Sequence, residues 1–273
     1  MLAIVAPGQG SQTPGFLAPW VEIPRVRELL AWWSAVADID LIRLGTVADA
    51  EEIKETENAQ PLIVAAGLVG ALSLFPHPSD AFNKVAVTAG HSVGELTAAA
   101  GARAITAESA MVLVRERGKA MAEASARVAT GMSAVLGGER DLVIAAIEKF
   151  GLTAANENGA GQIVAAGDLA SLEQFSAHAP EGSRIRSLAV AGAFHTHYMS
   201  SAVERLAMLS RSVTVRDPRT RLLSNKDGAV IHHGREVLDR IVGQISNPVR
   251  WDLCMETMVD LGRSEEHTSE LQS

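Results

Sequence analysis

The sequence predicts an α/β protein in which a small β-α-β-β-α-β unit is inserted into a larger α/β domain. Two apolar segments, Leu2–Ala6 and Val85–Ala89, each run into a glycine-rich turn, which is typical of buried strands. Between Arg127 and Ala191 the predicted elements become short and alternate in an order that can close a core of its own. These two observations carry the fold prediction.

The elements of the larger domain follow from apolar runs and the residues that interrupt them. Proline and glycine mark the loops, including a glycine-rich loop over Gly8–Gln12 and a loop at 76–78. The elements predicted are strand Leu2–Ala6, a buried helix over 61–75, strand Val85–Ala89, a helix over 95–100 and a helix that Thr106 opens.

The inserted unit is predicted from shorter elements with the ferredoxin-like order. They are strand 132–136, helix 139–150, strand 153–156, strand 163–166, helix 169–179 and strand 184–188. We therefore predict a ferredoxin-like subdomain at 127–191, with residues 1–126 and 192–262 forming one discontinuous α/β subdomain around it.

Composition and charge exclude several classes of protein. Of the 273 residues, 47% are hydrophobic and 21% are charged, which argues against a disordered chain. A net charge of -8 without a dense Lys/Arg stripe argues against nucleic acid or an anionic membrane as partner. Cys254, the single cysteine, fits a reducing compartment. With no signal peptide evident and an apolar run, Leu62–Phe75, too short for a bilayer, we expect a cytoplasmic protein without a membrane span.

One motif indicates nucleophilic catalysis. Gly90-His91-Ser92-Val93-Gly94 matches G-x-S-x-G and lies between a predicted strand and a predicted helix, which is the context a nucleophile elbow requires. The glycines let strand and helix approach closely, so that the Ser92 hydroxyl is exposed at a helix N-terminus. Ser92 is therefore the candidate nucleophile, with a structural turn as the alternative.

Several segments together resemble the malonyl-CoA:acyl carrier protein transacylases. They are the Gly8–Gln12 loop, GHSVGE at 90–95, Arg117-Gly118, Phe194-His195 and QISNPVRW at 244–251. The resemblance implies a hydrolase-like parallel-sheet large subdomain with an inserted ferredoxin-like subdomain. It implies transfer of a malonyl group from malonyl-CoA to the phosphopantetheine thiol of acyl carrier protein, which supplies fatty acid synthesis. No cofactor is expected, and we expect a monomer.

The resemblance also assigns roles in catalysis. Ser92 would carry the malonyl group, and His195 would act as its general base. The main-chain carbonyl of Gln244 would orient His195, so we expect the Gln244 side chain to matter less than that of His195. The backbone N–H groups of Gln9 and Val93 would form the oxyanion hole. A phosphate-binding role for the loop around Gln9 is disfavoured, because the P-loop Lys-Ser/Thr ending is missing.

Further residues are expected to bind the acyl group. Arg117 would meet the free malonyl carboxylate, since a guanidinium offers two parallel hydrogen bonds to a carboxylate. A solvated helix charge is the alternative for Arg117, and it is the expected state of Arg115. Phe194 would disfavour a branching methyl, a preference worth about 1–3 kcal/mol.

Other polar side chains have less specific signals. Asn156 and Asn158, with Gln162, match the segment of the small subdomain that faces the active cleft in the resembling family, although turn formation would explain them as well. His91 would lie near the acyl group or serve in packing.

Histidine pairs and a basic stretch complete the candidates. His195 with His197, and His232 with His233, have no acidic or cysteine partner at a metal-binding spacing, so no metal site is predicted. The basic residues are expected on a solvated surface, with contact to an acidic carrier protein as the alternative. They are Arg216, Arg219, Arg221 and Lys226.

Two rival functions and the end of the chain complete the expectations. A serine esterase or thioesterase would need an acidic partner for its histidine, and a non-catalytic acyltransferase-like fragment would show an altered nucleophile or base. Residues 263–273, RSEEHTSELQS, are polar, in contrast to the apolar, Ala-rich sequence before them. We expect them to be a non-native tail. The resembling family continues with further elements there, so activity of this truncated chain is left open.

Overall fold

The computed structural model describes residues 2–75, 77 and 84–262. Pro76 and Pro78 of the predicted loop, and the predicted tail at 263–273, lie outside the described residues. The strands are β1 (Leu2–Ala6), β2 (Val85–Gly90), β3 (Thr130–Gly137), β4 (Thr153–Gly159), β5 (Gln162–Asp168), β6 (Ser183–Ser187), β7 (Arg221–Leu223), β8 (Val230–Ile231) and β9 (Val249–Arg250).

The rest of the regular structure is helical. The α-helices are α1 (Ala18–Val21), α2 (Pro24–Ala37), α3 (Leu41–Thr46), α4 (Thr56–Leu74), α5 (Gly94–Gly101), α6 (Ala107–Ser125), α7 (Arg140–Lys149), α8 (Leu169–Ala177), α9 (Ser200–Ser210), α10 (Gly234–Gln244) and α11 (Trp251–Asp260). Together the elements confirm the α/β class.

The first sheet has the order β1-β2-β7-β8. Strands β1, β2 and β7 are parallel, and β8 is antiparallel to β7. Because parallel strands end at the same edge of a sheet, the loops after β1, β2 and β7 lie side by side. The His91 N–H donates to the carbonyl of Ala6 at 2.9 Å, which fastens the turn after β2 to the end of β1.

Helix α4 is longer than the sequence predicted. It begins at Thr56 rather than at Pro61, and Pro61 lies inside it. Burial of the residues before the proline, such as Ala59 and Gln60, against the core outweighs the one hydrogen bond that proline cannot donate. Its length and composition would suffice to cross a membrane, but 56% of its apolar window is buried in the protein, as in a helix that belongs to a core.

The second sheet has the order β6-β3-β5-β4-β9. Its first four strands pair antiparallel throughout, and this order is the ferredoxin-like one, as predicted. Helices α7 and α8 share with this sheet a separate hydrophobic core that includes Val135, Ile147, Leu172 and Phe175. The subdomain boundaries at 127 and 191 stay a prediction.

A short strand joins the two parts of the chain. Strand β9 follows α10 and pairs parallel with β4, placing Val249 opposite Asn156. Glu157, next on β4, accepts from Arg140 at 2.7 Å and lies 3.3 Å from Nε of Arg250. These contacts hold β4 beside the segment that follows Gln244.

We predict that Leu172→Ala destabilises the protein without altering the site described below. Leu172 is buried in the separate core of the second sheet, and truncating a buried leucine costs about 2–5 kcal/mol. Denaturant unfolding followed by circular dichroism measures the loss. A stability equal to that of the wild type would contradict the packing described here.

Candidate active site

The turn after β2 holds Ser92 in a strained conformation. Ser92 has φ 52°, in the left-handed region that non-glycine residues adopt rarely. A Cβ at Gly90 would lie 2.0 Å from the carbonyl carbon of Gly94, and one at Gly94 would lie 2.5 Å from the carbonyl oxygen of Ala6. Only glycine therefore lets β1, β2 and α5 approach closely enough to form this elbow.

Ser92 and His195 are hydrogen-bonded. The Ser92 Oγ lies 2.8 Å from His195 Nε2, and His195 Nδ1 lies 2.8 Å from the carbonyl oxygen of Gln244. The second contact fixes the tautomer: Nδ1 carries the proton and donates to the carbonyl, so Nε2 is free to accept from the serine hydroxyl. The geometry is that of a dyad oriented by a main-chain carbonyl rather than by a carboxylate.

Arg117 lies at the centre of the site and is 1% exposed. Its Nη1 donates to Gln60 Oε1 at 2.6 Å, and its Nη2 donates to Gln244 Oε1 at 3.1 Å and to Ser92 Oγ at 3.3 Å. All three partners are uncharged, and Nε has no hydrogen-bond partner among the described residues. A buried cation held only by neutral groups favours the binding of an anion beside Ser92.

Burial and the Arg117 charge set the protonation of the site. Burial lowers the pKa of Arg117 to about 10, so the guanidinium stays charged near pH 7. Burial and the neighbouring Arg117 charge lower the pKa of His195 to about 3. Burial raises the pKa of Glu95 to about 8, against the hydrogen bond from Asn225 and the charge of Arg117. His195 is therefore neutral and able to accept a proton.

A buried polar cluster lies behind the nucleophile, and the sequence analysis missed it. Gln244 Nε2 donates to the carbonyl of Ser92 at 3.1 Å, to Asn225 Oδ1 at 3.0 Å and to Glu95 Oε2. The Gln244 side chain thus contacts both the nucleophile and Arg117, whereas the sequence analysis gave weight only to its carbonyl. Asn225 had one available signal, since it lies two residues after the end of β7, the strand paired with β2.

A cavity of about 220 Å³ opens on Ser92. It brings together all the predicted site residues except Gln244, and it adds Gln60, which the sequence analysis missed. The predicted residues in its wall are Gln9, His91, Ser92, Val93, Arg117, Asn156, Asn158, Gln162, Phe194 and His195. Among the described residues, three larger cavities, of about 320, 390 and 830 Å³, contain neither Ser92 nor His195 in their walls.

The roof of the cavity comes from the small unit. His91 Nε2 lies 2.8 Å from Asn158 Oδ1, and Asn158 Nδ2 donates to Gln162 Oε1 at 2.9 Å. Burial lowers the pKa of His91, a shift that the hydrogen bond to Asn158 opposes. The three side chains form one chain of hydrogen bonds from the elbow to strand β5, so this part of β4 faces the cavity and is not a free turn.

Two backbone N–H groups are available at the cavity. Among the described residues, the N–H groups of Gln9 and Val93 form no backbone or side-chain hydrogen bond, whereas the Ser92 N–H donates to Asn225 Oδ1 at 2.7 Å. Gln9 lies on the loop after β1, and Val93 starts the turn into α5. Uncommitted donors on two loops beside the serine can stabilise an oxyanion.

Other candidates lie elsewhere or differ from expectation. Arg115, expected to be solvated, is only 16% exposed and donates to the carbonyl of Glu57 at 2.9 Å, because its face of α6 packs on α4.

The residues of the basic stretch are exposed, namely Arg216, Arg219, Arg221 and Lys226. His197, His232 and His233 are exposed too, and no group of three metal-binding side chains occurs in the part of the chain that the structure describes.

Comparison with known proteins places this geometry in a family. Residues 5–252 match the acyl transferase domain family. The chain is 47% identical over 258 residues to the malonyl CoA-acyl carrier protein transacylase of Mycobacterium bovis, with 94% of this chain and 85% of that protein covered. The Escherichia coli K12 protein of the same name is 32% identical, with 95% and 85% covered.

Solved structures give the same result. The crystal structure of MCAT from Mycobacterium tuberculosis matches with a TM-score of 0.90 and 46% identity, over 94% of this chain and 85% of that one. A type II PKS acyl-carrier protein in complex with its malonyl-transacylase matches with a TM-score of 0.87 and 29% identity, over 95% and 85%.

The buried Glu95 predicts a pH dependence of stability. Its folded-state pKa of about 8 lies above the ordinary value of 4.5, so between these values the folded state holds a proton that the unfolded state has lost. The contribution of Glu95 to the free energy of unfolding is complete below about pH 4.5. It falls as the pH rises to 8, by about 1 kcal/mol per pH unit. Urea unfolding of wild type and Glu95→Gln from pH 6.5 to 8 measures it. Equal slopes for the two proteins would refute the shift.

Proposed function

The chain belongs to the acyl transferase family, and from this premise we propose that it transfers the malonyl group from malonyl-CoA to the phosphopantetheine thiol of acyl carrier protein. A malonyl-Ser92 ester is the intermediate. This activity supplies extender units for fatty acid synthesis.

One observation carries the proposal. Arg117 is buried, keeps only uncharged partners and lies 3.3 Å from the Ser92 hydroxyl. A malonyl thioester has a carbonyl for the serine to attack and a carboxylate two bonds further along. The carboxylate supplies the anion that Arg117 lacks, in a charge-assisted bidentate pair. The cavity therefore suits an acyl group that carries a negative charge at its far end.

The first half-reaction uses the dyad. Ser92 Oγ attacks the thioester carbonyl as its proton passes to His195 Nε2, and the new oxyanion accepts from the N–H groups of Gln9 and Val93. When the carbon–sulfur bond breaks, the proton on Nε2 passes to the leaving coenzyme A thiolate. General base catalysis of this kind contributes about 10²–10⁴-fold.

The second half-reaction reverses these roles. The phosphopantetheine thiol gives its proton to His195 and attacks the ester carbonyl, and the proton then returns to Ser92 Oγ as the ester bond breaks. The Nδ1–H bond to the Gln244 carbonyl holds the imidazole in the same tautomer throughout. Both halves use one nucleophile in ping-pong order.

Substrate binding improves the base. Burial is the larger cause of the low pKa of His195, and the Arg117 charge is the second. A carboxylate bound to Arg117 neutralises that charge, so the pKa of His195 rises when malonyl-CoA binds, while burial continues to hold it below its ordinary value. A neutral acyl group lacks this effect and is a poorer substrate for that reason as well.

The remaining wall residues shape the acyl site. Phe194 is buried beside His195 and disfavours a methyl branch on the acyl chain. His91, Asn156 and Asn158 bound the same cavity from the opposite side, where they support the acyl group with polar contacts. The hydrogen bond between Asn158 and His91 holds this wall against the elbow.

The esterase alternative is less well supported. It needs a carboxylate as the partner of His195 Nδ1, and the partner is the carbonyl of Gln244 at 2.8 Å. An uncharged ester would also provide no anion for the buried Arg117 to bind. A non-catalytic fragment is disfavoured because Ser92 and His195 are both present and within hydrogen-bond distance.

The cellular setting is proposed from charge and composition. We place the protein in the cytoplasm as a monomer that binds neither nucleic acid nor membrane, consistent with a net charge of -8. The subdomains are those predicted, 1–126 with 192–262, and 127–191. The exposed residues Arg216 and Arg219 belong to a solvated surface, where an acidic carrier protein is the alternative contact.

Intact-mass spectrometry tests the function. Wild-type protein mixed with malonyl-CoA is expected to gain the mass of one malonyl group, and to lose it when phosphopantetheinylated acyl carrier protein is added. Ser92→Ala is expected to gain nothing, because no hydroxyl remains to form the ester. Steady hydrolysis of the thioester without transfer to the carrier protein would instead support an esterase.

We predict that Arg117→Ala changes the acyl preference. Removing the cation takes away both hydrogen bonds to the malonyl carboxylate, so malonyl loading should fall by about 10²-fold or more, while acetyl loading changes little. Loading rates with malonyl-CoA and acetyl-CoA measure the ratio. The matched control is Arg115→Ala, two residues away on the same helix, which should keep the malonyl preference. Unchanged discrimination in Arg117→Ala would disprove the assignment.

A further inference from the structure

The side chain of Asn225 brackets the elbow that carries Ser92. Its Oδ1 accepts from the Ser92 N–H at 2.7 Å, and its Nδ2 donates to the carbonyl of Gly90 at 2.8 Å. Asn225 is fully buried and does not line the cavity on Ser92. It therefore contacts the main chain on both sides of His91 without reaching the space that a substrate would occupy.

Asn225 is itself held from several directions. Its N–H donates to Glu95 Oε1 at 2.7 Å, and its carbonyl accepts from the Arg250 N–H at 2.7 Å. Gln244 Nε2 lies 3.0 Å from Asn225 Oδ1 and also donates to Glu95 Oε2. These contacts fix the amide, so its two hydrogen bonds to the elbow have a defined direction.

We propose that Asn225, held by Glu95, is a positioning residue that keeps the main chain of Ser92 in its left-handed conformation and so sets the reactivity of the hydroxyl. The inference deepens the proposed function and rests on it for the natural reaction, but the reactivity of Ser92 can be measured without it.

The backbone of Ser92 is strained, and its N–H is hydrogen-bonded to Asn225. A serine at φ 52° persists only where the surroundings hold it there. In that conformation the Ser92 N–H donates to Asn225 Oδ1. The N–H of the next residue, Val93, is then the one that can donate to an oxyanion. Without Asn225, Ser92 can relax to negative φ, which moves Oγ away from His195 Nε2.

Asn225→Ala tests the proposal, with Glu95→Gln as a second variant. Asn225→Ala removes both bonds to the elbow. Glu95→Gln keeps the side-chain volume but replaces a carboxyl group, whose two oxygens accept from the Asn225 N–H and from Gln244 Nε2, with an amide that has one acceptor oxygen. Leu172→Ala is the control for lost stability, since Leu172 lies in the separate core of the small unit.

Two reactions are measured for each protein, together with its thermal unfolding. One is malonyl transfer, with kcat and KM determined separately. The other is sulfonylation by phenylmethylsulfonyl fluoride, in which Ser92 Oγ bonds to sulfur, fluoride leaves and the hydroxyl proton goes to His195.

For Asn225→Ala we expect both kcat and the sulfonylation rate to fall by about 10²-fold, with KM for malonyl-CoA little changed because Asn225 does not contact Arg117. Glu95→Gln should lower both rates by a smaller factor. Leu172→Ala should keep wild-type rates at a comparable loss of stability, which separates positioning from general weakening of the fold.

The proposal is overturned if Asn225→Ala folds and sulfonylates at the wild-type rate, or if its loss is confined to KM. Should Asn225→Ala not fold, Glu95→Gln decides, and wild-type rates in that variant overturn the proposal. If wild-type protein sulfonylates at Ser92 but accepts no malonyl group, the proposed function fails while the sulfonylation rates still test this inference.

Discussion

The site depends on one buried cation. Arg117 is held between Gln60 and Gln244 and touches the Ser92 hydroxyl, with no carboxylate among these partners. An unneutralised charge in a buried site is unfavourable, and this cost favours a ligand that brings a negative group. Burial, and after it the same charge, lower the pKa of His195 and so keep it neutral. One guanidinium thus contributes both to substrate recognition and to the strength of the base.

The scaffold makes this arrangement through the ends of parallel strands. The loops after β1, β2 and β7 lie at one edge of the first sheet. They place Gln9, Ser92 and Asn225 near one another. Glycine at 90 and 94 allows the backbones to approach, and the ferredoxin-like unit covers the opening with residues of β4. Strand β9 ties the two together, so the width of the cavity depends on contacts between both parts of the chain.

The sequence was informative wherever chemistry is carried by contiguous residues. The G-x-S-x-G turn identified Ser92, and the resemblance identified His195 and Arg117, which the structure brings together around a single cavity. It was less informative about residues that act through distant contacts. Arg115 was expected in solvent, but packing of α6 on α4 covers it. The sequence also did not predict that α4 begins at Thr56. Burial of the residues before Pro61 overrides the local preference of proline for the first turn of a helix.

The fold class, the ferredoxin-like order of strands, the elbow and the family could all be predicted from the amino-acid sequence. These follow from local patterns: apolar runs, glycine spacing and short motifs. The contacts of Gln60, Gln244 and Asn225 with Arg117 and Ser92 could not be predicted in this way. These side chains lie on separate elements, and nothing in their local sequence specifies a partner, so their contacts exist only once the strand ends and helices have packed.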